Sequence, residues 1–156
     1  MPNYIICQHI TTCIDQFSFN SRTHEGCDER ASELLIAMDQ ELFAVLAKLP
    51  VAPDYLTPIL PYYESSDAQS LTAKIRSIQG FKGIKTPMTK HPDGWQPDLT
   101  SRYFQEDFMH GLRYIYDTAH KLGVEIPTID HIYKWGEALA KKGEEVESIT
   151  KKLQNN

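Results

Sequence analysis

Two Asp-x-x-His pairs are the residues whose types and spacing first suggest chemistry: Asp107 with His110, and Asp117 with His120. Residues three positions apart on a helix are neighbours, so each carboxylate can reach the imidazole of its own pair. Both groups bind metal ions, but each pair supplies only part of a ligand set, and the two pairs face different sides of the helix. We therefore predict ordinary surface pairs here and no metal site.

A second group of reactive residues lies between 79 and 100, where the helical pattern disappears. Glycine and proline punctuate this stretch, which carries Lys82, Lys85, Lys90 and His91. A long loop without periodic structure is unusual in a compact domain, and such loops are often functional. Two interpretations stay open with equal weight: a solvated surface loop, or a cationic rim that covers an anionic substrate.

Several catalytic and cofactor-binding motifs are absent from the sequence. It contains no G-x-G-x-x-G, G-x-x-x-x-G-K-[ST], H-E-x-x-H, C-x-x-C or G-x-S-x-G. Gly80 and Gly83 are isolated and precede no nucleotide-binding helix, so we predict no Rossmann unit and no cofactor-binding residue in this chain. The cysteines Cys7, Cys13 and Cys27 lack zinc-finger spacing and are predicted to be free thiols in a reducing compartment.

The bulk composition excludes several classes of protein. The 156 residues are 41% hydrophobic and 24% charged, which is enough apolar material for the core of one domain over 1–156. The net charge of −5 gives no sign of the basic face typical of nucleic-acid binding. No stretch approaches the roughly 20 apolar residues of a membrane span, and the first residues lack a signal-peptide pattern. A cytoplasmic location is therefore the default expectation.

Hydrophobic periodicity predicts an all-α fold that positions these residues. The strongest helices share apolar residues at three- and four-residue steps and are expected over 28–49, 67–78, 104–122 and from 128 onward. A short helical piece is expected within 54–63. Ser66 and Thr128 are predicted N-caps, and Gly123 is the predicted left-handed residue that ends the third long helix. The polar tail after Gly143 has a thin apolar stripe, enough for a docked or fraying last helix.

Four segments of the sequence share a distinctive order and spacing: AMDQE (37–41), FKGIKTP (81–87), SRYFQEDFMHGL (101–112) and AHKLGVEIPTID (119–130). They resemble the C-terminal domain of the octopine/nopaline dehydrogenase family. In that family an arginine and a Glu-Asp pair open a helix, Gly-Leu follows, and a Gly-Val-x-x-Pro break leads to the next helix. The resemblance extends from about Phe17 to Ala140. It implies a helical fold similar to the C-terminal domain of 6-phosphogluconate dehydrogenase.

The resemblance also implies an activity that needs two domains. Members of the family condense the amine of an amino acid with a 2-oxo acid such as pyruvate, and they reduce the imine with NAD or NADP as the cofactor. A Rossmann domain, joined in cis or supplied in trans, would hold the dinucleotide, and the helical domain would bind the substrates. An apolar face is expected where that domain docks, and a homodimer is another way to cover it.

Three residue roles follow from the resemblance. Arg102 matches the arginine of the family and would bind a substrate carboxylate with two N–H groups. Asp107, five residues later, would orient a histidine that acts as general acid and base. In the family this histidine is followed by a proline and comes four residues after an asparagine. Here Asn3 is followed four residues later by Cys7, and the nearest histidine is His9. The histidine is therefore His9 in a shifted register, His24, or lost.

Spacing alone favours simpler roles for the same residues. On an α-helix, five positions correspond to about 140° around the axis, so Arg102 and Asp107 share a site only if Arg102 lies at or before the N-cap. Without the resemblance, Arg102 would pair with Glu106 and Asp107 would be an acid in the first turn. The alternative function is a non-catalytic helical module that dimerises or binds a small carboxylate. The histidines predicted to lie at the surface or in an interface are His110, His120 and His131.

Overall fold

Five α-helices, a π-helix and a two-stranded hairpin make up the described part of the chain in the computed structural model. The structure describes residues 27–52, 54, 56–82, 87–91 and 94–154. The α-helices are α1 (Glu29–Leu46), α2 (Ile59–Tyr62), α3 (Ala68–Ser77), α4 (Arg113–Leu122) and α5 (Pro127–Gln154). The other elements are a 3₁₀ turn (Gln79–Phe81), strands β1 (Met88–His91) and β2 (Gly94–Pro97), and the π-helix (Tyr103–Leu112). The predicted all-α class is confirmed.

Helix α1 is the central element. Asp28 begins it, because its Oδ1 accepts a hydrogen bond from the backbone N–H of Ala31 at 2.8 Å and so satisfies an amide of the first turn. The apolar stripe of α1 is wide enough to contact α2, α3, α4 and α5. The helix predicted over 28–49 is therefore confirmed, with its end three residues earlier at Leu46.

Two apolar clusters lie along α1. The first joins its N-terminal half to α2 and α3 and comprises Cys27, Ala31, Leu35, Ile59, Tyr63, Leu71 and Ile75. The second joins its C-terminal half to the π-helix, α4 and α5 and comprises Met38, Val45, Phe104, Phe108, Leu112, Ala119, Ile126, Ile129, Ile132 and Tyr133. Because α1 contributes to both clusters, it ties the two halves of the fold together. Among the described residues, no helix combines the length and the apolar character that a membrane crossing requires.

The helix predicted over 104–122 is two helices of different type. Its first part is the π-helix, in which the hydrogen bonds run from residue i to residue i−5, as the bond from the Arg113 N–H to the Phe108 carbonyl does. α-Helical geometry resumes at Arg113. Periodicity in the sequence could not distinguish the two types, because the buried residues Phe104, Phe108 and Leu112 recur every four residues, which is also the spacing of one face of an α-helix.

The end of α4 follows the prediction. Gly123 has φ 63° and ψ 35°, the left-handed conformation that glycine adopts without a Cβ penalty. Its N–H donates to the His120 carbonyl at 3.2 Å, and the Val124 N–H donates to the Ala119 carbonyl at 3.0 Å. These two bonds form a Schellman motif, which satisfies carbonyls that the helix leaves without partners.

Helix α5 is one continuous helix. The last helix expected after Gly143 is the continuation of α5, and Thr128 as an N-cap is wrong, because the helix already begins at Pro127. A proline at the first helical position has no N–H to satisfy. The next two amides find a partner in α1: Glu41 accepts from Thr128 N–H through Oε1 at 2.7 Å and from Ile129 N–H through Oε2 at 2.8 Å. A carboxylate 87 positions away in the sequence therefore caps α5.

The stretch 79–100 contains more structure than the predicted loop. Strands β1 and β2 pair antiparallel, with Met88 opposite Pro97 and His91 opposite Gly94. The Asp98 N–H donates to the Pro87 carbonyl at 3.1 Å and closes the base of this hairpin. The sequence did not indicate the hairpin, because strands of four residues are too short for a period-two pattern to appear.

The cap of α3 lies one residue later than predicted. Asp67, not Ser66, is the N-cap, and its Oδ1 accepts from the Ser70 N–H at 2.7 Å. The Ser70 Oγ accepts in return from the Asp67 N–H at 3.1 Å, which completes a capping box. Serine and aspartate are both favoured N-caps, so residue type alone could not distinguish Ser66 from Asp67.

Candidate functional site

The N-terminus of the π-helix is tied to the hairpin that precedes it. Asp98, at the hairpin base, accepts through Oδ1 from the Thr100 N–H at 3.0 Å and from the Thr100 Oγ1–H at 2.7 Å. The Ser101 carbonyl accepts from the Gln105 N–H at 3.0 Å, and the Gln105 side-chain amide donates to the Leu99 carbonyl at 2.7 Å. These bonds fix the turn from which Arg102 projects.

Arg102 is the N-cap residue of the π-helix, with helical φ −53° and ψ −39°. Its side chain is 82% exposed, and its Nε donates to Glu106 Oε2 at 2.8 Å. The pairing that spacing alone predicts is therefore present. Exposed pairs at i,i+4 contribute only about 0.3–0.5 kcal/mol, so another carboxylate can displace Glu106 at little cost.

The π-helix changes the relation between positions 102 and 107. In an α-helix they would be about 140° apart around the axis. A π-helix closes its turns with i→i+5 bonds, so each turn holds more residues and positions five apart lie nearer to one face. The backbone thus brings 102 and 107 closer to one face than the α-helical expectation allowed. The side chain of Asp107, and the whole of His9 and His24, lie outside the described part of the structure.

Buried aromatic rings support the π-helix on its inner side. Phe104 and Phe108 are 2% and 1% exposed. Their rings stack with centroids 5.1 Å apart, and Phe108 stacks on Tyr133 of α5 at 6.0 Å. Stacked aromatic pairs contribute about 0.5–1.5 kcal/mol beyond the burial of their area. The three stacked rings therefore hold the π-helix, which Arg102 precedes, against α5.

The lysines of the stretch 79–100 are partly described. Lys82 and Lys90 are exposed, and Lys90 lies on β1 opposite Trp95. Lys85 and the side chain of His91 lie outside the described residues. The hairpin that bears Lys90 connects through the Asp98 turn to the start of the π-helix. Because only two of the three lysines are described, both interpretations of this stretch, a cationic rim and a solvated surface, stay predictions.

The other histidines of the helices are at the surface, as predicted, since His110, His120 and His131 are all exposed. His120 contacts Asp130 at 3.3 Å between Nε2 and Oδ1, whereas Asp117 pairs with Arg113 at 3.6 Å. A hydrogen bond from Lys134, and a weaker one from His120, lower the pKa of the Asp130 carboxyl. In the part of the chain that the structure describes, no three His, Cys, Asp or Glu side chains cluster as metal ligands would.

A buried carboxylate in α1 had no assigned role in the sequence analysis. Asp39 is 6% exposed, and its Oδ2 accepts from the Ile59 N–H at 3.0 Å at the start of α2. Burial raises the pKa of Asp39, and the hydrogen bond from Ile59 partly opposes that rise. The signal in the sequence was an acid next to Met38 within the apolar stripe, which indicates a buried polar contact.

Comparison with known proteins relates this chain to enzymes. Residues 6–140 match the family model described as NAD/NADP octopine/nopaline dehydrogenase, alpha-helical domain. The tauropine dehydrogenase of Arabella iricolor is 33% identical over 131 residues, which cover 76% of this chain and 33% of that enzyme. The octopine dehydrogenase of Pecten maximus is 26% identical over 125 residues, which cover 73% of this chain and 31% of that enzyme. The chain thus spans about a third of the length of these relatives.

Solved structures of octopine dehydrogenase have a similar fold. The structure with NADH and L-arginine has a TM-score of 0.70 at 21% identity, covering 88% of this chain and 39% of that one. The structure with NADH and pyruvate has a TM-score of 0.68 at 22% identity, covering 85% and 36%. The helical architecture described above is therefore that of one part of a larger enzyme fold.

Proposed function

Since this chain belongs to the octopine/nopaline dehydrogenase family through its alpha-helical domain, we propose that it is the substrate-binding and catalytic part of an opine dehydrogenase. Such an oxidoreductase joins an amino acid to a 2-oxo acid. The observation that carries the proposal is the family match over residues 6–140, which includes the whole π-helix segment. The cofactor, NAD or NADP, would be held by a Rossmann domain in cis or in trans and would supply the hydride.

We assign binding of a substrate carboxylate to Arg102. Its guanidinium is exposed at the start of the π-helix, and its Nε donates to Glu106 Oε2. A substrate carboxylate would replace Glu106 and form two parallel N–H···O bonds, which are stronger than a surface pair once the site is covered. The rim of Lys82 and Lys90 would add attraction for the same anionic substrates.

We assign proton transfer to Asp107 together with a histidine, His9 in the first place. The carboxylate would accept the N–H of one ring nitrogen and leave the other nitrogen to exchange a proton with substrate. The amine would attack the carbonyl carbon, and the carbonyl oxygen would leave as water with a proton from the imidazolium, which leaves a protonated imine. A hydride from the cofactor would add to the carbon of this protonated imine and give the secondary amine.

The test of these assignments is kinetic and uses the chain with its Rossmann domain. Arg102→Lys should raise the KM of the 2-oxo acid by roughly 10- to 100-fold, because the loss of a charge-assisted bidentate pair costs about 1.5–3 kcal/mol. Arg113→Lys is the matched control, since Arg113 is also exposed and pairs at i,i+4 with Asp117. A normal KM in the Arg102→Lys enzyme would remove Arg102 from the site.

The same assay tests the acid/base groups. Asp107→Asn should lower kcat by about 10²–10⁴, the usual contribution of general acid–base catalysis. His9→Ala and His24→Ala, compared with each other, identify the histidine by the larger loss. Full turnover in the Asp107→Asn enzyme would exclude Asp107 from proton transfer.

A further inference from the structure

We propose that Gly136 of α5 is a positioning residue for the substrate site. By leaving room for the ring of Phe108, it determines where the π-helix lies, and with it Arg102 and position 107. The structural half of this inference stands on packing alone. Its kinetic half rests on the proposed function.

Gly136 lies where no side chain fits. A Cβ built on its backbone would overlap three atoms at the far end of the Phe108 ring, with Cε2 at 2.8 Å and both Cε1 and Cζ closer still. Glycine in a helix interior costs roughly 0.5–1 kcal/mol relative to alanine. Its presence in the middle of α5 therefore needs a reason, and the ring of Phe108 supplies one.

The ring of Phe108 is buried and packed against two other aromatic rings. It is 1% exposed. Phe104 stacks on it with planes 4° apart, and Tyr133 stacks on it with planes 8° apart. Tyr133 is itself backed by Tyr116 of α4, with ring centroids 4.4 Å apart. An added methyl group at position 136 would displace this packed ring, and we expect the displacement to shift the backbone of the π-helix.

A push on this backbone reaches the proposed site directly. Phe108 follows position 107, and Arg102 begins the same π-helix. π-Helices are rare and usually a single turn long, so a ten-residue one depends on the packing that holds it. If that packing fails, the segment returns toward α-helical geometry, and positions 102 and 107 separate toward about 140°.

The experiment compares four variants of the enzyme that includes its Rossmann domain: Gly136→Ala, Phe108→Leu, the double variant, and Gly80→Ala. Gly136→Ala should raise the KM of the 2-oxo acid by roughly 10- to 100-fold, the scale of a misplacement of about 1 Å, and leave the KM of the dinucleotide unchanged. Leucine lacks the distal ring atoms, so the double variant should recover most of the loss. Gly80 has open space around it, and its alanine variant is the control.

Amide hydrogen exchange over residues 103–112 separates this inference from the proposed function. Faster exchange in Gly136→Ala, reversed in the double variant, supports the positioning role even if the wild-type enzyme shows no turnover and the proposed function fails. If Gly136→Ala does not fold, a folded double variant supports the inference and an unfolded one overturns it. An unchanged KM together with unchanged exchange in Gly136→Ala also overturns it.

Discussion

At the scale of single residues, two carboxylates of α1 act as helix caps for other elements. Glu41 caps α5, and Asp39 holds the first amide of α2. Asp28 was predictable as a cap because its partner, Ala31, is three residues away. Glu41 and Asp39 were not, because their partners lie 87 and 20 residues along the chain, and only the packed fold brings them together.

Glu41→Ala should destabilise the fold by about 2 kcal/mol. It removes two charge-assisted hydrogen bonds and leaves the amides of Thr128 and Ile129 without this partner, and such bonds contribute about 1.5–3 kcal/mol. Urea unfolding measures the free energy. Glu33→Ala, an exposed position on the same helix, is the control. Equal stability of the two variants would contradict the capping role.

Asp39→Asn should shift the pH dependence of stability. Burial raises the folded-state pKa of Asp39 above its ordinary value of 3.8, so its contribution to stability is complete below that value and is lost as pH rises through the folded pKa. Asparagine keeps an oxygen for the Ile59 N–H and cannot ionise. The Tm of the variant relative to wild type should therefore rise between pH 3 and pH 7.

The control for this measurement is Asp54→Asn, since Asp54 is exposed. If the Tm difference between Asp39→Asn and wild type stays constant with pH, burial does not destabilise the ionised carboxylate of Asp39. If that difference falls as pH rises, the folded-state pKa of Asp39 is lowered and not raised.

At the scale of elements, helices with strong local signals were predictable and irregular ones were not. The start of α1 follows from the acid Asp28, and the end of α4 follows from the glycine Gly123. The π-helix was missed because its apolar spacing fits an α-helix equally well. The type of helix matters for the proposed site, because residues five positions apart, such as Arg102 and Asp107, lie on different faces of an α-helix and nearer to one face of a π-helix.

Gly123→Ala should cost about 1–2 kcal/mol, because an L-residue with a Cβ is strained in the left-handed conformation at φ 63°. Thermal or urea unfolding gives the value. Gly80→Ala, at a glycine without positive φ, should be nearly neutral. A neutral Gly123→Ala would mean that α4 ends by another route than its Schellman motif.

At the scale of the whole molecule, the proposed site is on the outer side of the second apolar cluster. Phe104 and Phe108 face that cluster, while Arg102 at the start of the same helix is exposed. The chain covers about a third of its relatives, so a surface that is exposed here is available for a further domain to cover. Only the family resemblance points to this proposed site, since the roles proposed for Arg102 and Asp107 do not follow from periodicity or charge.

The chain alone should fold as a helical protein and leave NADH fluorescence unchanged in a titration. The physical reason is that its sequence has no glycine-rich loop to let backbone amides approach a pyrophosphate. Circular dichroism checks the folding in the same sample. Saturable NADH binding by the folded chain would contradict the proposal that the dinucleotide is bound by a Rossmann domain and not by the helical domain.

The most direct test of the account is the initial rate of NADH or NADPH oxidation by the chain together with the Rossmann domain that we propose completes it. Each organic substrate is omitted in turn. The account predicts that oxidation requires both an amino acid and a 2-oxo acid and yields a secondary amine. Oxidation that proceeds with the 2-oxo acid alone, or no oxidation with any amino acid supplied, would contradict it.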